Sequence, residues 1–544
     1  MNKFRILFLL FLLMAYPAVT QAQAEKPKIV VGIIVDQMRQ DYLYRFSDRY
    51  SEDGFKRLMQ DGFMLKNGHY NYIPTYTGPG HASVYTGTTP ASHGIIGNDW
   101  YVKRLDQMIY CAGDTTVTNI GGSASNGFIS PRNMLTTTVT DELRIATQKR
   151  SKVIGVAIKD RGASLPAGHM GDAYWFDSKT GEFMTSSYYY DKLPEWVTKF
   201  NERKVVDKYL SQTWNTLYPI ETYTESIADD NEFEGIFLGK DSPTFPYDLN
   251  ELRKTNGEFG LISSTPYGNT MTLDFALAAL EGEKLGMGEE TDFLALSFSS
   301  PDYIGHRFGP QSKEIEDTYL RLDQEIARLF AYLDKTYGKD QYLIFLTADH
   351  AVAEVATHMI SENVPAGNLK TSEMRTALLD YITSQYGEGD WIKNISNNQL
   401  FLNHRLIADK KLNQEDFENE IAQFLVKIEG IKEVYTGTAM RTREFTMGNA
   451  MRLQMGYNHK ASGDILLVLE PAWLNGGDRG TSHGTGYTYD TNIPMVFYGW
   501  KIPQGESSRH VSITDITPTL CMMLDIKLPN GSTGNPILEI TDKK

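Results

Sequence analysis

The sequence predicts an α/β protein built on a central, mostly parallel sheet with helices on both faces and inserted subdomains. Two observations predict it. Short apolar runs rich in β-branched residues recur along the 544-residue chain, and segments of helical periodicity lie between them. A third agrees with them: three of four patches rich in Asp and His directly follow such a run. Open α/β sheets carry their chemistry at the carboxyl ends of the strands.

The elements follow in chain order. Residues 1–24 read as an export signal: Lys3 and Arg5 at the charged end, an apolar run over 6–16, and Ala22-Gln23-Ala24 as the cleavage site. That run is shorter than the ~20 residues a spanning helix needs. No later stretch is long and apolar enough, so the mature chain, 25–544, is expected to be a periplasmic or secreted protein without a membrane span. Residues 28–35, 152–158, 292–297, 341–347, 464–469 and 493–498 read as buried parallel strands. Residues 313–337 carry the clearest helix, with Ile315, Tyr319, Leu322, Ile326, Leu329, Phe330 and Leu333 at helical spacing. Two stretches break the rhythm and are expected to be insertions. Residues 163–260, rich in Tyr, Trp, Asp and Thr, read as an excursion above the sheet. Residues 354–462 hold a small β-α-β-like unit: strand 399–402, helix 414–428, strand 431–435.

Lysine and arginine number 53 against 68 acidic residues, a formal charge of −15. So acidic a chain is a poor nucleic-acid binder, and an anionic substrate would need strong local positive charge. Two cysteines, Cys111 and Cys521, are too few for a disulfide framework or a cysteine-rich zinc site.

The residues that could supply that charge lie far apart in sequence. Asp36 ends the first strand; alone it would read as a helix cap. Asp349 and His350 end another. Asp302 and His306 are four apart, on one face if the segment is helical; Pro301 and Gly305 favour a loop. His483 sits in Gly480-Thr-Ser-His-Gly-Thr-Gly486, a poor setting for a structural core histidine. Three aspartates and three histidines suit two zinc sites. Thr77 precedes Gly78-Pro79-Gly80, and proline favours the first helical turn, so Thr77 is expected at a helix N-terminus where an anion is welcome. Lys159 and Arg161 follow the 152–158 run; in extended chain, i and i+2 point the same way and could clamp a phosphate. Asn98, in Ile-Ile-Gly-Asn-Asp-Trp, could donate its amide to an oxyanion.

Taken together, these motifs resemble the alkaline phosphatase superfamily, which includes nucleotide pyrophosphatase-type phosphodiesterases. The closer likeness is to its monomeric bacterial PafA-type branch. It runs in order from Asp36 to His483, extends to Asp515-Ile-Thr-Pro-Thr-Leu520, and is most specific at Lys159-Asp-Arg-Gly-Ala163 with Leu165-Pro-Ala-Gly-His169. The resemblance implies an alkaline-phosphatase-like catalytic domain over 25–544, acting as a monomer on small-molecule phosphate monoesters. It implies Thr77 as a nucleophile that becomes phosphorylated. Asp36, Asp349, His350 and Thr77 would hold one zinc ion, and Asp302, His306 and His483 the other. Asn98, Lys159 and Arg161 would contact the phosphoryl oxygens. One residue departs from the pattern: Ala351 stands where the superfamily commonly has glycine. Two dications and two basic side chains, set against three aspartates and a threonine alkoxide, leave the site net positive and matched to a dianion. A phosphodiesterase on the same scaffold and a non-catalytic exported metal- or phosphate-binding protein are the rival readings. A sulfatase would need a Cys/Ser-x-Pro-x-Arg context that Thr77-Gly-Pro-Gly-His lacks.

Overall fold

The computed structural model describes residues 26–541, so the export-signal reading over 1–24 lies outside the described residues. The central sheet is formed by β1 (Ile29–Val35), β2 (Phe63–His69), β3 (Val153–Ala157), β4 (Asp172–Asp177), β5 (Glu182–Ser186), β6 (Asp292–Phe298) and β7 (Tyr342–Thr347). A small side sheet follows: β8 (Ile392–Ser396), β9 (Gln399–Leu402), β10 (Ile431–Thr436) and β11 (Ile465–Leu469). The chain then returns to the central sheet with β12 (Asn492–Ile493), β13 (Met495–Gly499) and β14 (Gly505–Ser512).

The central sheet runs β12-β2-β13-β7-β1-β6-β3-β4-β5 and ends on Asn119–Ile120, with β14 beside β2. Its middle, β7-β1-β6-β3-β4, is parallel. Every residue of β1, β6 and β7 is buried, which explains their predominantly apolar sequences. The helices that matter for the site are α1 (Thr77–Thr86), α2 (Asp160–Ala167), α3 (Tyr267–Gly282), α4 (Ser300–Phe308) and α5 (Lys313–Thr336). Ser312 caps α5 by accepting from the Ile315 N–H.

The sheet register explains how close the first two helices lie. Gly32 pairs with Ala295, Ala295 with Gly155, and Gly155 with Ala173, a row of small residues on one face. A Cβ at Gly32 would meet the Tyr85 hydroxyl of α1 at 2.5 Å, and one at Gly155 the Ala163 carbonyl oxygen of α2 at 2.2 Å. Both helices therefore rest on bare backbone.

Two strands differ in direction from expectation. Residues 464–469 lie in the side sheet, ordered β8-β9-β11-β10 and antiparallel throughout. Ile465, Leu467 and Leu469 enter one apolar cluster and Leu466 and Val468 another, so burial on both faces mimics a parallel strand. The 493–498 run is split at Pro494 into β12 and β13, antiparallel to β2 and β7. The stretch 163–260 also contributes β4 and β5 to the central sheet before its excursion.

Candidate active site

The aligned ends of the parallel strands deliver the site. Asp36 follows Val35 directly, Asp349 and His350 follow β7, and Lys159 caps α2 just beyond β3. Thr77 is the first residue of α1, entered through Tyr76 in extended conformation. Two local expectations are corrected. Lys159 and Arg161 do not share an extended strand: the helix starts at Asp160, so Arg161 lies in its first turn. Asp302 and His306 sit one turn apart on α4 and not on a loop, because Pro301 is accommodated at the helix start. Gly305 serves close approach, since a Cβ there would lie 1.9 Å from Gln37 Oε1.

Asp36, Asp302, Asp349, His350 and His483 converge. Ligand atoms of Asp36, Asp349 and His350 lie within 4.8 Å of one another, and so do those of Asp302, His350 and His483. His350 Nε2 is 3.6 Å from both Asp36 Oδ1 and Asp349 Oδ2. His306 Nε2 is 3.1 Å and His483 Nε2 3.6 Å from Asp302 Oδ1. All three imidazoles turn Nδ1 to a backbone carbonyl: Ala351 at 3.0 Å, Thr481 at 2.8 Å and Thr75 at 2.7 Å. In the neutral ring that contact makes Nδ1 the protonated nitrogen and leaves the Nε2 lone pair for a cation. Burial works against charge on His306, but without a cation the Asp302 carboxylate outweighs it and holds that ring above its usual range, as an imidazolium donating Nε2–H to Asp302.

This constellation fits bound cations. Asp36 Oδ1, Asp349 Oδ2 and His350 Nε2 are buried without a hydrogen-bond partner, a costly arrangement unless an ion satisfies them. Burial, then the Asp349 carboxylate, pushes Asp36 well up; burial also lifts Asp349 to about 6. Burial lowers His350 to about 3, and burial with the stacked His350 ring lowers His483 to about 3. Burial works against ionised Asp302, but His306 and Lys159 outweigh it and hold that carboxyl well below its usual range. A multivalent cation would favour the ionised form of all three carboxylates.

Lys159 is the positive charge present. Its ammonium donates to Asp36 Oδ2 at 2.7 Å, Asp302 Oδ2 at 2.6 Å and Thr77 Oγ1 at 3.4 Å. Thr77 is 1% exposed. Asn98 accepts from the Gly78 N–H at 2.8 Å through Oδ1, which leaves its NH2 group for another acceptor. Arg161 donates to the Tyr110 hydroxyl at 3.1 Å, and its Nε has no partner. Cys111 and Cys521 are buried free thiols. Ala351 is compatible with its loop: it does not adopt positive φ, and its N–H donates to the Asp490 carbonyl at 2.9 Å.

Three supporting residues escaped sequence reasoning. Gln37, in left-handed conformation (φ 66°), donates from Nε2 to Asp302 at 2.8 Å and from its backbone to Asp349 at 3.1 Å. His81 lies on α1 itself, with Nδ1 2.9 Å from the Thr77 carbonyl one turn back and Nε2 2.9 Å from Ser297 Oγ. Asp490 accepts from the backbones of Gly484 and Thr485, fixing the turn after His483. Of these, only His81 carried a signal, one helical turn beyond Thr77.

The chain matches the family described as type I phosphodiesterase / nucleotide pyrophosphatase over residues 30–491. It is 46% identical to a Myroides odoratus protein named Calcium-transporting ATPase, over 97% of each chain. It is 43% identical to alkaline phosphatase PafA of Elizabethkingia meningoseptica, over 95% of this chain and 94% of that one. A crystal structure of wild-type alkaline phosphatase PafA superposes with a TM-score of 0.92 at 43% identity, covering 95% of this chain and 100% of that one. The chain belongs to the type I phosphodiesterase / nucleotide pyrophosphatase family of the alkaline phosphatase superfamily, alongside PafA.

Proposed function

We infer that the chain is an alkaline phosphatase, a metal-dependent hydrolase of phosphate monoesters. One observation carries the reading: Thr77 opens a helix beside two carboxylate–imidazole groups, with the Lys159 ammonium 3.4 Å from its hydroxyl oxygen. The similarity to alkaline phosphatase PafA supports it.

Asp36, Asp349, His350 and Thr77 Oγ1 would hold one zinc ion, and Asp302, His306 and His483 a second. When bound, the pair supplies Lewis-acid stabilisation of the attacking and leaving oxygens and lowers the pKa of coordinated hydroxyl and water. Thr77 Oγ1, having lost its proton to solvent, attacks phosphorus in line. The ester oxygen departs on the opposite side and takes a proton from water. The phosphothreonine that remains is cleaved by water to inorganic phosphate and free Thr77. With divalent cations satisfying the carboxylates, the Lys159 ammonium is free to bind phosphoryl oxygen. The Arg161 guanidinium and the Asn98 amide complete the contacts. Gln37 holds one carboxylate of each group in place. The enzyme is exported after removal of 1–24 and works as a monomer.

The family description favours a second reading, a phosphodiesterase. Lys159 and Arg161 argue against it, because a diester presents one anionic charge and gains less from two cations. The name of the Myroides relative is compatible with phosphoryl-group hydrolysis; no helix among the described residues is long and apolar enough to cross a membrane.

Chelation tests the reading. Metal-free protein is expected to lose turnover of an aryl phosphate, and added zinc to restore it. Full turnover in verified metal-free protein would refute the metal-dependent reading.

A further inference from the structure

The cleft carries two arginines that the proposed chemistry leaves unused. A cavity of about 380 Å3 is lined by Lys159, Arg161, Asp302 and His306 at the reacting end, and also by Arg307 and Arg479. Arg479 is exposed, and its guanidinium has no hydrogen bond or ion pair among the described residues. Arg307 donates one N–H to the Ile236 carbonyl at 3.1 Å and lies over the Phe237 ring at 4.3 Å. No carboxylate pairs with it, and its Nε is buried without a partner.

These arginines are mounted on a braced rim. Gly235 N–H donates to the Arg307 carbonyl at 2.8 Å, Gly480 N–H to the Phe233 carbonyl at 2.8 Å, and Thr481 N–H to the His306 carbonyl at 3.1 Å. The rim is therefore tied to His306, a residue of the ion group proposed for the leaving oxygen, and the alcohol part of a substrate would emerge towards it. Four cationic side chains against one carboxylate, in a chain of charge −15, form a local anion-focusing surface. Guanidinium forks match carboxylate and phosphate oxygens.

We propose that Arg479 and Arg307 select phosphate monoesters whose alcohol carries a second anionic group. This rests on the monoesterase reading and deepens it. Arg479 is a specificity-determining residue that would touch the leaving group and not the transferred phosphoryl.

The test compares kcat/KM for phenyl phosphate and 4-carboxyphenyl phosphate in the wild type, Arg479→Ala and Arg479→Glu, at low and high salt. Arg479 is exposed and its guanidinium pairs with no described residue, so both variants are expected to fold. The wild type is expected to favour the carboxylated ester by about five- to tenfold at low salt, with the ratio shrinking at high salt. Arg479→Ala is expected to at least halve the ratio, and Arg479→Glu to bring it below one. A wild-type ratio near one, or one ratio shared by all three proteins, would overturn the inference and leave the monoesterase reading standing, since phenyl phosphate would still be turned over. Failure to hydrolyse either ester would overturn both.

Discussion

At the scale of single residues, the site is marked by ligand-type atoms buried without a hydrogen-bond partner, Asp36 Oδ1, Asp349 Oδ2 and His350 Nε2, a costly arrangement unless an ion satisfies them. Thr77 is buried, starts a helix and lies within reach of an ammonium. Thr77→Ser keeps the hydroxyl and is expected to keep measurable activity; Thr77→Ala is expected to form no phosphoenzyme. Acid quench of labelled substrate followed by peptide mapping checks this, and label on another residue would exclude Thr77. A second buried group gives a pH prediction. Glu234 is 1% exposed, accepts from Asn231 Nδ2 at 2.7 Å, and is pushed up to about 10 by burial and then by Glu314. The folded protein therefore keeps a proton that the unfolded chain has released above about pH 4.5. Stability from this group is full below that pH and is lost as pH rises towards 10. The thermal midpoint is expected to fall from pH 7 to pH 10, and Glu234→Gln, which needs no proton, to flatten the fall. Equal slopes would show that the Glu234 carboxyl is already ionised in the fold.

At the scale of elements, the small residues under α1 and α2 hold the helix starts against the strand ends. Gly155→Ala would drive a Cβ into the Ala163 carbonyl at 2.2 Å. It is expected to destabilise by roughly 1–3 kcal/mol, and to cut kcat by up to about a hundredfold by displacing Lys159 and Arg161. Gly288→Ala, with nothing within 4 Å of the added carbon, is the control expected to leave both melting and kcat unchanged. Unchanged kcat in Gly155→Ala would detach helix position from catalysis. Element scale is also where sequence legibility divides. β1, β3, β6 and β7 were readable because strands buried on both faces are predominantly apolar, with only Asp292 and Ser297 breaking β6. The same logic gave the wrong direction for β11 and β13, since burial on both faces does not encode polarity. β2 was missed because Lys66, Asn67 and Gly68 break its apolar run, although it pairs with β13, β12 and β14. Ligand-type residues such as Asp302 and His483 stood out by chemistry. Gln37 and Asp490 did not, because they act by holding other residues: Gln37 is not a ligand type, and Asp490, although an aspartate, accepts only from the turn beside His483.

At the scale of the whole molecule, an acidic chain gathers four cationic side chains, Lys159, Arg161, Arg307 and Arg479, around one cleft at the carboxyl end of its sheet. The account stands or falls on whether that charge is matched to the dianionic phosphoryl group of a monoester. Removing a preorganised donor aimed at developing charge costs roughly 3 kcal/mol, or about a hundredfold in rate. The most direct measurement is kcat/KM for an aryl phosphate monoester and for its methyl diester, in the wild type and in Lys159→Ala/Arg161→Ala. The wild type is expected to prefer the monoester. The double variant is expected to lose well over ~10²-fold on the monoester and far less on the diester, so that the preference shrinks. An equal loss on both substrates would make the pair structural and would contradict the monoesterase account.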